Sequence, residues 1–384
     1  MKKVTLKLAV STLAIAAGSL AAQAEHWPSL PAGVKSGVAG QDGAQVFVGL
    51  GSAGDALYSL DTAAPESGWK TLAAFPGPVP NGAASAMAGG KLYVFSGSGK
   101  TDPDDASPII FTDVHAYDPA ADAWTKLDTE TPVGLLGAAA YALDDDRIAI
   151  FGGYNKELFD KYLHDVLTTD KEAEPEKWQK IVDDYMGMPP ADYRWNKDVL
   201  VYTISTNSWS TLGENPYLPN CGAAVVPEKD GLLLINGEIK PGLRTPQIKH
   251  VATGGESLAW TQLAPLPAIP GTDLQEGLAG AYAGYSHDVL LVAGGANFHG
   301  ARARSFAEQW FTHDGFPKAW NTEIYARIDG AWKVAGELPA GLAYGASFQV
   351  DGGVLAVGGE DAERTARTDV FLMSWDNGTV TLTD

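Results

Sequence analysis

The feature that most constrains this chain is a pattern that recurs six times along it. An apolar run stops at glycine in "VFVGLGSAG" (46–54), "LYVFSGSG" (92–99), "IAIFGGYN" (148–155), "LLLINGE" (232–238), "VLLVAGGANF" (289–298) and "VLAVGGE" (354–360). Each is followed by a second apolar run such as "LYSLD" (57–61) or "DVFLMSW" (369–375). In five copies a tryptophan comes next, at Trp69, Trp124, Trp209, Trp260 and Trp332. A strand of small residues, such as "GAAAYAL" (137–143) or "YGASFQV" (344–350), precedes the copies. The unit is therefore four short strands, a to d, at a period of about 50 residues.

Four-stranded antiparallel units at that period are propeller blades, and kelch blades have this length. The sequence predicts an all-β, six-bladed kelch β-propeller spanning residues 25–384. Strand a is rich in Gly and Ala because strands crowd near the axis, and the strand-d tryptophan is expected to pack between blades. A β-sandwich of evenly spaced strands would not explain the recurring order of Gly and then Trp. Two segments compete to close the ring: "GTVTLTD" (378–384) and "HWPSLP" (26–31) both read as an outer strand.

Residues 1–24 stand apart from the repeat. Lys2, Lys3 and Lys7 precede an apolar stretch, and "AQA" (22–24) fits a small-residue cleavage site. This is the pattern of a signal peptide, so a mature chain starting near Glu25 and located in a bacterial periplasm is expected. The apolar stretch is too short for a membrane span, and no later stretch is long enough. The formal charge of −20 becomes about −23 once the leader's three lysines are gone. Such acidity argues against nucleic acid or anionic lipid as partner, and requires a dedicated cation for any anionic ligand. Cys221 is the single cysteine, so the core holds the fold without an intrachain disulfide.

Departures from the repeat carry the functional information. Antiparallel strands send the b–c and d–a loops to one face of a propeller. The third copy has an insertion there from Lys156 to about Lys197, and the fifth has one from Phe298 to about Asn321. Leu158, Tyr162, Leu163, Val166 and Leu167 recur at helical spacing, as do Trp178, Ile181, Val182 and Tyr185. Helical insertions over one mouth are expected, walling a pocket, with decorative surface loops as the bland alternative.

The fourth copy's b–c loop opens on the same mouth and reads "INGEIKPGLRT" (235–245). A glutamate at the end of strand b, where water is partly excluded, suits acid/base work. Arg244 offers a planar fork of donors for a ligand carboxylate, and Pro241-Gly242 a stiff turn between the two. The spacing equally allows Glu238 and Arg244 simply to pair with each other. His287, His299 and His313 lack metal-ligand spacing and read as surface histidines, and Cys221 reads as a small buried residue.

With "LGSAG", the six kelch units, the long third-blade insertion and the leader, "NGEIKPGLRT" closely resembles bacterial N-acetylneuraminate epimerases over essentially the whole mature chain. The resemblance implies a mutarotase that interconverts the α and β anomers of N-acetylneuraminic acid, a sialic acid. It also implies Glu238 as the catalytic residue and Arg244 as the substrate-binding one, with no metal and no cofactor. Around the mouth the chain departs from other kelch proteins, with Asn81, Leu135 and Leu342 near places where such repeats often carry arginine. The Asp boxes of sialidase propellers are missing, and Cys221 lacks the companions of a kelch copper oxidase. A non-catalytic kelch module that binds sugars or proteins is the alternative.

Overall fold

The computed structural model describes residues 26–384 except 256 and 270, so the expected signal peptide lies outside the described residues. Six four-stranded antiparallel sheets follow one another along the chain, each running a-b-c-d. Blade 1 spans Val38–Asp42, Gln45–Gly49, Leu57–Asp61 and Lys70–Thr71. Blade 4 spans Ala224–Glu228, Gly231–Ile235, Ile248–Ala252 and Ala259–Leu263. Blade 6 spans Ala346–Val350, Gly353–Val357, Val370–Asp376 and Thr379–Thr383.

The burial of each strand explains its sequence. Strand b lies inside its sheet with a blade against each face, so both sides of its pleat are covered and the run is continuously apolar, as in Leu232–Ile235, at most 1% exposed. Burying each such side chain is worth about 1.5–3 kcal/mol. Strand d is the rim and alternates, as in Ala123–Glu130. The cores sit between blades: Tyr93, Phe95 and Val114 of blade 2 pack with Ile148, Ile150 and Tyr202 of blade 3.

The strand-d tryptophans bridge blades as expected. Three of them donate the indole N–H to the unit before: Trp124 to the Ala73 carbonyl, Trp209 to Thr129 and Trp332 to the Ala264 carbonyl. Trp69 of blade 1 donates to the Pro28 carbonyl, so the N-terminal segment stands where a preceding blade would end.

That settles closure, and both candidate segments take part. Thr379–Thr383 is strand d of blade 6. Trp27, Leu30 and Val34 then fill the seam between blade 6 (Leu355, Val357, Val370) and blade 1 (Val46, Val48, Tyr58). Sequence reasoning treated these as rivals because both have strand-like pattern, whereas the seam needs a rim strand and a connector.

A second closure surrounds the axis at the mouth. The backbone N–H of Gly82 donates to Ser36, Gly137 to Gly82, Gly222 to Gly137, Gly280 to Gly222, Tyr344 to Gly280 and Ser36 to Tyr344, all at 2.8–3.0 Å. All six residues adopt positive φ, between 49° and 72°. Glycine takes that conformation freely, which accounts for its place in four of the six.

The insertions fold as helices over this mouth: α1 (Lys156–Thr168), α2 (Pro175–Met186) and the short α3 (Ala301–Phe306). Asn155 caps α1, its side chain accepting the Leu158 N–H. No described helix is long and apolar enough to cross a membrane.

Candidate active site

The six b strands end alike, and the place just beyond each end is where chemistry enters. There the chain turns and pairs briefly with the residue preceding the axial ring. The equivalent residues, marked by these backbone bonds, are Ser52, Ser98, Tyr154, Glu238, Ala296 and Glu360. For Glu238 the partner is Cys221, with N–H to carbonyl distances of 2.7 and 2.9 Å.

Within the mouth lies a cavity of about 480 Å³, inside the size range that holds small ligands. Its floor is the axial ring of Ser36, Gly82, Gly137, Gly222, Gly280 and Tyr344, and its wall includes Tyr154, Phe159, Cys221 and Glu238. A cavity of about 650 Å³ opens on the opposite face and shares Ala39, Val225, Ala283 and Ser347 with it.

Glu238 and Arg244 stand directly opposite each other in a two-stranded hairpin, Glu238–Lys240 against Leu243–Arg244. Gly242 makes the turn at φ 81°, and a Cβ there would lie 1.7 Å from His313 Nδ1. Its N–H donates to Glu238 Oε1 at 3.0 Å. Lys240, fully buried, donates to the carbonyls of Met186 and Trp310, tying the hairpin to both insertions. Burial lowers its pKa to about 8, against the opposing pull of Glu238.

Arg244 Nη1 approaches Glu238 Oε1 to 2.8 Å. The approach lies off the hydrogen-bond direction, so Nη1 is left buried with no hydrogen-bond acceptor among the described residues. The rest of the guanidinium is fixed: Nε donates to the Ala296 carbonyl at 3.2 Å, and the group sits 5.1 Å from the Phe298 ring centre. Burial pulls the Arg244 pKa down, but Glu238 and Tyr344 outweigh it and the net shift is upward. Arg244 stays charged.

Tyr154 completes the group by donating its hydroxyl to Glu238 Oε2 at 2.5 Å. Burial, then the Glu238 charge, pushes its pKa well above the usual phenol value. The ring is held by Trp195 and by Phe159 of α1, with ring centres 4.2 and 5.2 Å away.

Sequence reasoning thus named two residues that the fold does bring together. The fold sets Glu238 on the cavity wall. Arg244 lies one step behind that wall, between Glu238 and Tyr344. Tyr154 was missed, although "IFGGYN" and "LLINGE" align at their glycines and put it in Glu238's place in the preceding copy. Glu360 was missed for the same reason. His313, read as a surface histidine, is instead half-buried against Phe298 and Phe311, and burial pushes its pKa down to about 4. Cys221 is buried as read, and burial raises its thiol pKa. Among the described residues no group of three or more His, Cys, Asp or Glu is placed to hold a metal ion.

Comparison with known proteins gives a consistent result. A family model described as N-acetylneuraminate epimerase matches residues 27–382. The N-acetylneuraminate epimerase of Brucella melitensis is 55% identical over 97% of this chain and 96% of its own length. That of Vibrio cholerae is 47% identical over the full length of both chains. The solved structure of YjhT superposes with a TM-score of 0.86 at 38% identity, covering 93% of this chain and 99% of that one.

Proposed function

The chain belongs to the N-acetylneuraminate epimerase family, and we propose that Glu238 is the proton-transfer group with which this sialic acid mutarotase works. The carrying observation is a carboxylate on the wall of a ligand-sized cavity, held between a guanidinium and a phenol.

Mutarotation of a 2-keto sugar acid moves one proton. The anomeric O2–H bond breaks as its electrons form the C2 carbonyl, and the C2–O6 bonding pair leaves on the ring oxygen, which is protonated. Rotation about C2–C3 presents the other carbonyl face, and the reverse transfer closes the ring. Glu238 accepts the anomeric proton in the first direction and returns it in the second. Arg244 holds the Glu238 carboxylate from behind the cavity wall, and its buried positive charge also attracts the substrate carboxylate entering the cavity. In so acidic a protein that anion needs such a cation.

The test is anomer exchange followed by NMR with purified protein and N-acetylneuraminic acid. Exchange far above the spontaneous rate is expected, and binding without exchange would favour the non-catalytic module. Residues 1–24 we assign to a cleaved leader that exports the protein to the periplasm. An N-terminus at Glu25 in protein recovered from that compartment is the check.

A further inference from the structure

We propose that Tyr154 is a second catalytic residue, the acid that protonates the ring oxygen while Glu238 takes the anomeric proton. The inference rests on the mutarotase reading and adds a residue that lies outside the Glu238–Arg244 motif.

The reasoning begins with the acceptor sites of Glu238. Oε1 already accepts from the Gly242 N–H at 3.0 Å and faces Arg244 at 2.8 Å. Oε2 is left for chemistry, and its one partner among the described residues is the Tyr154 hydroxyl at 2.5 Å. A carboxylate oxygen that is accepting the O2 proton cannot in the same instant deliver one to O6. Ring opening nevertheless needs one delivered at O6 in the same step that removes one at O2.

Tyr154 meets the requirement by position. It lines the same cavity as Glu238. The two substrate oxygens are borne on one carbon, so they lie about as far apart as the two hydrogen-bonded protein oxygens that would face them. The step balances without any other reactant. The O2 proton passes to Glu238 Oε2, the Tyr154 proton passes to O6, and the Glu238 proton moves to the tyrosine oxygen along their shared hydrogen bond. Both side chains end as they began, and one proton has travelled from O2 to O6. The short hydrogen bond between the two side chains lets the transfers run together, without a free tyrosinate.

The hydroxyl is placed by groups that have no share in the chemistry. The Tyr154 N–H donates to the Leu136 carbonyl at 3.1 Å, and Trp195, only 5% exposed, backs the ring. Those contacts should survive Tyr154→Phe, which removes one oxygen and leaves the ring in place.

The experiment measures anomer exchange in H2O/D2O mixtures for wild type and Y154F. Wild type should show a curved proton inventory, from more than one proton in flight. Y154F should lose roughly 10²-fold or more in kcat with little change in KM, and its residual inventory should be straight. A straight wild-type inventory overturns the proposal, even if Y154F does not fold. So does a Y154F rate within about threefold of wild type, or a slow Y154F whose inventory stays curved, which would make Tyr154 a positioning residue for Glu238. Wild-type protein with no exchange above background would sink the mutarotase reading instead, a distinguishable failure.

Discussion

Blades 4 and 6 carry a glutamate at the same point of the repeat and use it differently. Glu238 pairs through its backbone with Cys221, and Glu360 pairs in the same way with Ala343. Their side chains are similarly shielded, at 16% and 12% exposure. Glu360, however, spends both oxygens on cations and an indole. Oε2 meets Lys35 at 2.7 Å, while Oε1 meets Lys318 at 2.8 Å and the Trp320 N–H at 3.2 Å. Burial acts to raise its pKa, but the two lysines outweigh it and hold the carboxyl below its usual range. It is off the cavity wall. Glu238 has one cation, which is poorly aligned, and a phenol, and it faces the cavity. The repeat supplies a place for a carboxylate; the neighbouring blades decide whether it reacts or holds the ring together.

The broadest test of this contrast is the same substitution at both places. Glu238→Gln should lower anomer exchange by roughly 10²–10⁴ while sialic acid still binds, since shape and polarity stay and the proton site goes. Glu360→Gln should leave exchange within about threefold of wild type. Equal losses at both positions, measured by NMR exchange, would erase the distinction between them.

Arg244→Lys sharpens the comparison at blade 4. A lysine cannot reproduce the planar fork, so KM for N-acetylneuraminic acid should rise about tenfold, the scale of one charge-assisted hydrogen bond. Discrimination against neutral sugars should weaken with it. Rates measured against both pH and substrate concentration separate the roles. An unchanged KM with an upward-shifted pH optimum would mean that Arg244 serves Glu238 alone.

The smallest effect belongs to Glu360 and appears in stability. Its pKa is lower folded than unfolded, so its contribution is fully present above the ordinary carboxyl value and is lost as pH falls through the lowered one. Thermal melts should show Glu360→Gln destabilised near neutrality by about 1–2 kcal/mol, with the gap to wild type narrowing in acid. A gap that held constant with pH would detach Glu360 from its lysines.

These residues also divide what was legible from what was not. Six blades, the mouth and the helical insertions follow from local pattern, because strand spacing and burial periodicity are written residue by residue. The chain alone likewise fixed Glu238 and Arg244 as neighbours, since a Pro-Gly turn makes a short hairpin. It left open whether they pair. The hairpin register put them face to face, and packing against Ala296 and Phe298 turned the guanidinium so that Nη1 points past its carboxylate partner. Tyr154 lies 84 residues before Glu238 in the chain, yet its hydroxyl is 2.5 Å away. The same holds for Lys35 and Glu360, 325 residues apart and joined by closure of the ring. Local propensity cannot encode such contacts; they exist because stacking six blades around one axis brings every strand-b end to a common mouth.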